Sequence, residues 1–439
     1  MTASSIRLNK LVFPVLLLIQ MGTFIFSNRL SQAVNSTLFF LSSLFLGILP
    51  LFWYYKRPFF IKKNNPAFFK NNLIISGLGV CFLIYAFYRD HILFERIPID
   101  PKSSDIIPTL QIFCQRFLHG ETVYAPFTDF GYLLYANNLP TRWMPFIPAE
   151  YFGFDYRWIP LAIWLLSIIL ILYPLFKKVS PLIYSLGVVG LVFPFFYMSL
   201  PDSDVPAQSI LVYTVEFLFV AYYLCFAAGI FYKNRAFVGL MLGICLLSRY
   251  SLIVWLPLFF FILWQHESKK QIFALLSSAT LVVVLLYIIP FLSKDWGILL
   301  QGFQNYNHSG IGEWQHINAT TGLPYHIFGG FGFAYVIYQH FPDLSLLEKF
   351  SLVKNIHLTA VLSTVAVLGV IYFKTKSFIP YSIFILASFK IYLAVFLYFI
   401  QVPYQYLMLM DLYLSIALLI LLLYHSSPFQ SSKIPCRIG

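Results

Sequence analysis

The sequence predicts an all-α, polytopic integral membrane protein with about 12 transmembrane segments. Three observations predict it. Only 10% of the 439 residues are charged, whereas a soluble domain carries about 25%. Hydrophobic residues make up 59%, and they fall in many apolar runs of roughly 17–25 residues, each able to cross about 30 Å of hydrocarbon. Lys and Arg gather in short clusters between those runs, the pattern by which topology is encoded.

The spans fall at 11–27, 37–55, 72–88, 158–176, 181–199, 207–232, 236–248, 251–264, 272–292, 357–373, 378–400 and 406–424. The short pair at 236–248 and 251–264 reads either as two crossings or as a re-entrant hairpin. Three units follow: an N-terminal two-span hairpin (1–70), a main transmembrane unit (71–424) and a tail (425–439). The first run lacks a small-residue cleavage site, so it is expected to be retained as a span.

The charge distribution orients this drawing. One side receives Arg7, Lys10, Lys56, Arg57, Lys62, Lys63 and Lys70, then Lys177, Lys178, Lys233, Arg235, Lys269 and Lys270, and finally Lys374, Lys376, Lys433 and Arg437. By the positive-inside rule that side is cytoplasmic, with both termini on it. The net charge of +12 is therefore a topology signal, and no nucleic-acid partner is expected. The opposite side receives loop A (89–157), loop B (200–206), loop C (293–356) and loop D (401–405). The long loops are rich in Tyr, Trp, Phe and Pro, which argues for ordered, functional surface. No repeat, Walker motif or dinucleotide fingerprint is present. The five cysteines suggest neither a disulfide framework nor a metal-binding spacing.

Loop A carries the chemistry. Ile106, Leu110, Phe113 and Phe117 recur at helical spacing and Gly120 stops them, which predicts a short amphipathic helix lying in the membrane interface. Asp105 stands where that helix begins. It reads either as an N-cap or as a general base at the water–lipid boundary, accepting a proton from an acceptor hydroxyl. Asp90, Asp100, Asp129, Glu150 and Asp155 are rival acids in the same loop.

The order of features is an acid after a span, a helix ending at Gly120, Tyr124-Ala125-Pro126, and then Arg142-Trp143-Met144-Pro145-Phe146-Ile147-Pro148. It resembles the GT-C class of membrane glycosyltransferases, and within it bacterial polyprenyl-phosphate-mannose-dependent mannosyltransferases. The turn Ser248-Arg249-Tyr250, with Pro257 after it, is similar to that class too. The likeness spans about residues 80–300 and then Pro403 to Leu407. It departs in one respect: the acidic loop usually follows the family's first span, whereas here two further spans come before the one that leads into it. The resemblance implies a sugar donor linked to a polyprenyl phosphate, a lipid or glycan acceptor, and an inverting transfer on the outer face with an Asp as base.

Other constellations attach to this reading. Asp202 and Asp204 in loop B form either a solvated turn or a site for a cation or sugar hydroxyl. Arg249 is costly within a membrane unless it is paired or wetted. It is expected either to snorkel or to clamp the donor phosphate, whose oxygens match a guanidinium fork. Arg142, Tyr404 and Gln405 are further expected substrate contacts. In loop C, Trp314, Glu313 and His316 suit a sugar, combining an aromatic face with polar groups. His308, His316 and His326 match no metal spacing, so no cofactor is expected, although a divalent cation remains compatible with the acids. Asn35, Asn307 and Asn318 open N-x-S/T sequons expected on the outer side. Glu216, Lys390 and Asp411 fall inside spans and read as proton-transport groups or as a structural ion pair.

The leading expectation is a polyprenyl-phosphate-sugar-dependent glycosyltransferase of the inner membrane, with mannose as the sugar suggested. Asp105 is its base and Arg249 its phosphate clamp. The rivals are an O-antigen-type polymerase or ligase, which would lack so early an acid–helix–Pro loop, and a transporter or flippase, which would show repeat symmetry.

Overall fold

Most apolar runs lie within helices, several of which start ahead of the run, as the helix from Leu346 does before the run at 357, and local signals fix some of their ends. The structure, a computed structural model, describes residues 3–27, 29–56, 67–176, 179–200 and 205–425. Three helices lead into loop A: α1 (Ala3–Ile25), α2 (Gln32–Lys56) and α3 (Ala67–Arg96). Loop A holds α4 (Ile106–Leu118), α5 (Pro140–Trp143) and α6 (Ile147–Phe152). The chain then runs through α7 (Trp158–Leu172), α8 (Pro181–Met198), α9 (Val205–Tyr213), α10 (Glu216–Tyr232), α11 (Arg235–Leu246), α12 (Leu256–His266) and α13 (Lys269–Val283). Loop C holds α14 (Gly297–Gln315), α15 (Tyr325–Phe328) and α16 (Ala334–His340), and α17 (Leu346–Thr375), α18 (Tyr381–Tyr398) and α19 (Leu407–His425) close the fold. Among the described residues there is no strand, only two isolated bridges inside loops A and C.

Capping boxes start α13, at Ser268 with Gln271, and α17, at Ser345 with Glu348, each satisfying two otherwise orphaned backbone donors. Beyond α13 the helix widens to π geometry over Val284–Leu292. That segment contains Pro290, which has no N–H to give to an α ladder.

Among the described residues, six helices are long and apolar enough to cross a membrane: Gln32–Phe52, Phe69–Arg96, Pro181–Met198, Lys269–Leu292, Leu346–Thr375 and Tyr381–Tyr398. Six shorter apolar helices accompany them, among them α7, α10, α11 and α12. The apolar run at 207–232, expected as one span, breaks at Thr214-Val215 and places Glu216 at the start of α10.

α11 lies directly on α13, and two glycines make the approach possible. A Cβ on Gly239 would meet the Leu275 carbonyl oxygen at 2.0 Å, and one on Gly243 would meet the Ala279 carbonyl at 2.9 Å. Small residues four apart let helix backbones touch in lipid, where packing rather than hydrophobicity joins helices. Gly239→Val is expected to destabilise the protein by at least about 1–3 kcal/mol, read as a lowered unfolding temperature in detergent.

The N-terminal hairpin shares the main core. α1 and α2 pack on α18 and α19, and Phe13, Phe24, Phe39 and Leu46 belong to the same buried cluster as Tyr392 and Tyr413. At its centre, Lys390 lies 2.5 Å from Asp411 and donates to Ser43 Oγ at 2.8 Å, while Gln20 donates to the other Asp411 oxygen at 2.9 Å. The ion-pair reading of Lys390 and Asp411 therefore holds. Both side chains are fully buried, and such a pair is strongly destabilised when one partner is removed. Lys390→Met should cost about 3–5 kcal/mol, and Lys390→Met with Asp411→Leu should recover most of it, as thermal unfolding of the two variants will show.

Candidate active site where loops A, C and D converge

Two features set Asp105 apart. It occupies the N-cap position of α4, yet its side chain makes no capping hydrogen bond. Its carboxylate faces across loop A instead, and the Tyr132 hydroxyl donates to Oδ2 at 3.0 Å. The N-cap alternative for the side chain is thus unrealised. Four of the rival acids are already engaged or buried. Asp100 accepts from the Lys102 backbone, and Glu150 accepts from Gln115 and Tyr156. Asp155 pairs with Arg157, which also donates to the Phe94 and Ile97 carbonyls, and Asp90 is fully buried within α3. Asp129 is exposed.

α4 exists as its periodicity predicted and ends at Gly120, with φ of +71°. It does not offer its apolar face to lipid. Leu110 and Phe113 are buried, and Phe113 packs on Tyr124, Phe127 and Trp143. The rest of loop A covers the face that sequence alone left uncovered.

Backbone and side-chain bonds then tie loop A to the others. Thr141 donates from its N–H to the Leu247 carbonyl (3.2 Å) and from its hydroxyl to the Ile244 carbonyl (2.8 Å). These bonds dock α5, and with it Arg142, against the end of α11. Asn137 donates to Ser309 (3.2 Å), and Asn305 donates to the Ala136 carbonyl (3.2 Å). Loop C meets loop D where Phe331 N–H donates to the Pro403 carbonyl at 2.9 Å. A Cβ on Gly330 would lie 1.9 Å from that same oxygen, so only glycine fits there. The hairpin braces this junction from behind. Gln32 donates to the Ile327 carbonyl, Gly332 N–H donates to Ser36, and Phe40 stacks on Tyr398 at 4.1 Å.

The result is a site with an acidic half and a basic half. In the acidic half, Glu313 lies 3.1 Å from His326 Nε2, and His326 packs against His316 and Tyr404. Burial lifts the Glu313 carboxyl above the usual glutamate range, opposed by a hydrogen bond from Tyr404 and reinforced by the Asp105 charge. Burial, with His316 beside it, holds the His326 imidazole down to about 4. At neutral pH its contact with Glu313 is thus a hydrogen bond rather than an ion pair.

In the basic half, Arg249 makes a two-point pair with Glu216, at 3.0 and 2.6 Å, and lies over the Phe219 ring. The phosphate-clamp expectation for Arg249 meets this competitor, because its fork is already filled. Arg142 stands beside it, feeling Tyr406, Arg249, Glu216 and Tyr404. No described carboxylate pairs with Arg142, and its Nε is buried without an acceptor. Tyr404 and Tyr406, stacked at 4.9 Å, bridge the two halves.

Asp105, Arg142, Arg249, Glu313, His316 and Tyr404 therefore share one region. Trp314 does not join them. It is fully buried in a second core with Phe350 and Ile337, and its indole donates to the Gln401 carbonyl at 3.0 Å. It carries packing, not a face for a sugar. Gln405 turns away and donates to Ser27 of the hairpin. Asp202 and Asp204 lie outside the described residues. The Asn35 sequon is buried in α2, so it offers no surface acceptor. Tyr132, His326, Tyr406 and Glu216 were not among the expected contacts. The signal for Glu216 was available: a charge within a span calls for a partner of opposite sign. Among the described residues, no three His, Cys, Asp or Glu side chains are grouped to hold a metal ion.

No family model matches this chain, and neither a curated protein nor a solved structure matches it.

Proposed function

We propose that the protein is a glycosyltransferase that moves a sugar, with mannose the first to test, from a polyprenyl-phosphate donor to a lipid or glycan acceptor on the outer face of the inner membrane. The observation that carries the reading is an uncapped carboxylate, Asp105, and a guanidinium with no carboxylate partner among the described residues, Arg142, both near Tyr404 within one cluster of loops. Transfer from a lipid phosphate needs a group that takes a proton from the acceptor and a cation at the leaving phosphate. In this reading about twelve helices cross, the short pair α11–α12 among them, and both termini are cytoplasmic.

The step is a single displacement. Asp105 takes the proton of the acceptor hydroxyl. The acceptor oxygen bonds to the anomeric carbon from the face opposite the phosphate. The bond from that carbon to the phosphate oxygen breaks, its electron pair leaves with the polyprenyl phosphate, and the anomeric configuration inverts. Arg142 receives the leaving phosphate, and Arg249, held by Glu216, adds positive potential. Glu313, His326 and Tyr404 are positioned to hydrogen-bond sugar hydroxyls. Lys390 and Asp411 satisfy each other, which removes the observation that had favoured transport. Incubating the purified chain with defined polyprenyl-phosphate sugars tests the proposal: released polyprenyl phosphate with an inverted product supports it, and an intact donor with every acceptor opposes it.

A further inference from the structure

At the end of the molecule opposite the candidate site, three turns meet around Tyr381. Arg235, from the α10–α11 turn, donates to Glu267 and, at 2.9 Å, to the Tyr381 hydroxyl. Tyr381 donates in turn to Glu267, which lies in the α12–α13 turn. The His266 ring lies flat on Tyr381, with centroids 4.7 Å apart. Lys233 holds its ammonium 4.9 Å from the centre of the same ring. It does so from a left-handed backbone conformation, φ +59°, that no other non-glycine residue among those described adopts, and that carries strain. Lys376, from the α17–α18 turn, lies over Phe373, and it and Lys233 both face His266.

The charges do not balance. Three cations, Lys233, Arg235 and Lys376, meet here beside Tyr381 and His266 with one carboxylate, Glu267, which is taken by Arg235. The Nε and Nη1 of Arg235 are buried and have no acceptor. Lys233 and Lys376 are exposed, and no described carboxylate pairs with either. Beside them Trp264, Phe373 and Phe378 are largely exposed, as aromatic residues are at a membrane–water boundary.

We propose that Lys233 and Lys376 bind the phosphate of an anionic phospholipid headgroup in the leaflet opposite the candidate site. The two ammoniums reach the phosphate oxygens, and the under-neutralised Arg235 guanidinium adds attraction from beneath. Trp264, Phe373 and Phe378 lie against the glycerol and upper acyl region. A soluble phosphate would use the lysines and leave the aromatic residues idle, which is why a lipid is the favoured source. The site is independent of the glycosyl-transfer reading.

The test uses the full chain in nanodiscs of phosphatidylcholine with a minor fraction of phosphatidylglycerol, the lipids retained being counted by native mass spectrometry. The wild-type chain is expected to retain phosphatidylglycerol selectively. Lys233→Gln with Lys376→Gln should lower its affinity about 30-fold, from about fivefold per lysine near the surface. Lys269→Gln with Lys270→Gln, at the same end of the molecule, should leave it unchanged. Added inorganic phosphate should not displace the lipid. Equal retention of both lipids, or equal loss in the two double variants, would reduce the cluster to diffuse topological charge. Complete displacement by inorganic phosphate would replace the lipid with a soluble anion.

Discussion

Asp105→Asn is expected to fold and insert as the wild-type chain does, to bind the donor, and to lose at least about two orders of magnitude in turnover. The substitution keeps the size of the side chain and an oxygen for the Tyr132 hydroxyl, and it removes only the basicity. A capping role would predict almost no effect, since Asn caps as well as Asp, and the Asp105 side chain caps nothing. Steady-state transfer measured alongside thermal unfolding separates the outcomes. Near wild-type turnover in Asp105→Asn together with a dead Glu313→Gln would move the proton transfer to Glu313, the other carboxylate of the same half of the site.

The two arginines should separate cleanly. Arg142→Ala is expected to weaken donor binding by about 10–150-fold, the worth of a charge-assisted hydrogen bond of about 1.5–3 kcal/mol. Unfolding temperature should change little, because Arg142 has no ion-pair partner among the described residues to abandon. Arg249→Ala should do the reverse. It leaves the almost fully buried Glu216 carboxylate alone, at a cost of about 3–5 kcal/mol in stability. Donor titrations and thermal unfolding of both variants check this. A stable Arg249→Ala with lost donor affinity would return the phosphate to Arg249.

What sequence made legible were the features set by local chemistry. Apolar runs marked the helices, Gly120 ended α4, and opposite charges inside spans offered an ion pair of Lys390 and Asp411 as one of two readings. Three features depended on tertiary geometry. The break at Thr214-Val215 falls within one apolar run, so nothing local showed that Glu216 begins a helix, and its charge called for a partner without naming Arg249. Glu313 and Trp314 are neighbours in sequence, but successive residues on a helix point about 100° apart. One therefore reaches His326 and the other enters the core. Gln405 lies between two stacked tyrosines and takes the opposite direction, toward Ser27. The place of the N-terminal hairpin was hidden for the same reason, because its contacts lie some 300 to 390 residues away along the chain.

The most direct measurement compares lipid extracts, by mass spectrometry, from cells with and without this protein. Loss of the protein is expected to make one polyprenyl-phosphate sugar accumulate and one glycosylated acceptor disappear. Asp105→Asn should reproduce both changes and wild-type protein should reverse them. Unchanged levels of every polyprenyl-phosphate sugar, with a pyrophosphate-linked oligosaccharide accumulating instead, would contradict the account and point to a polymerase or ligase.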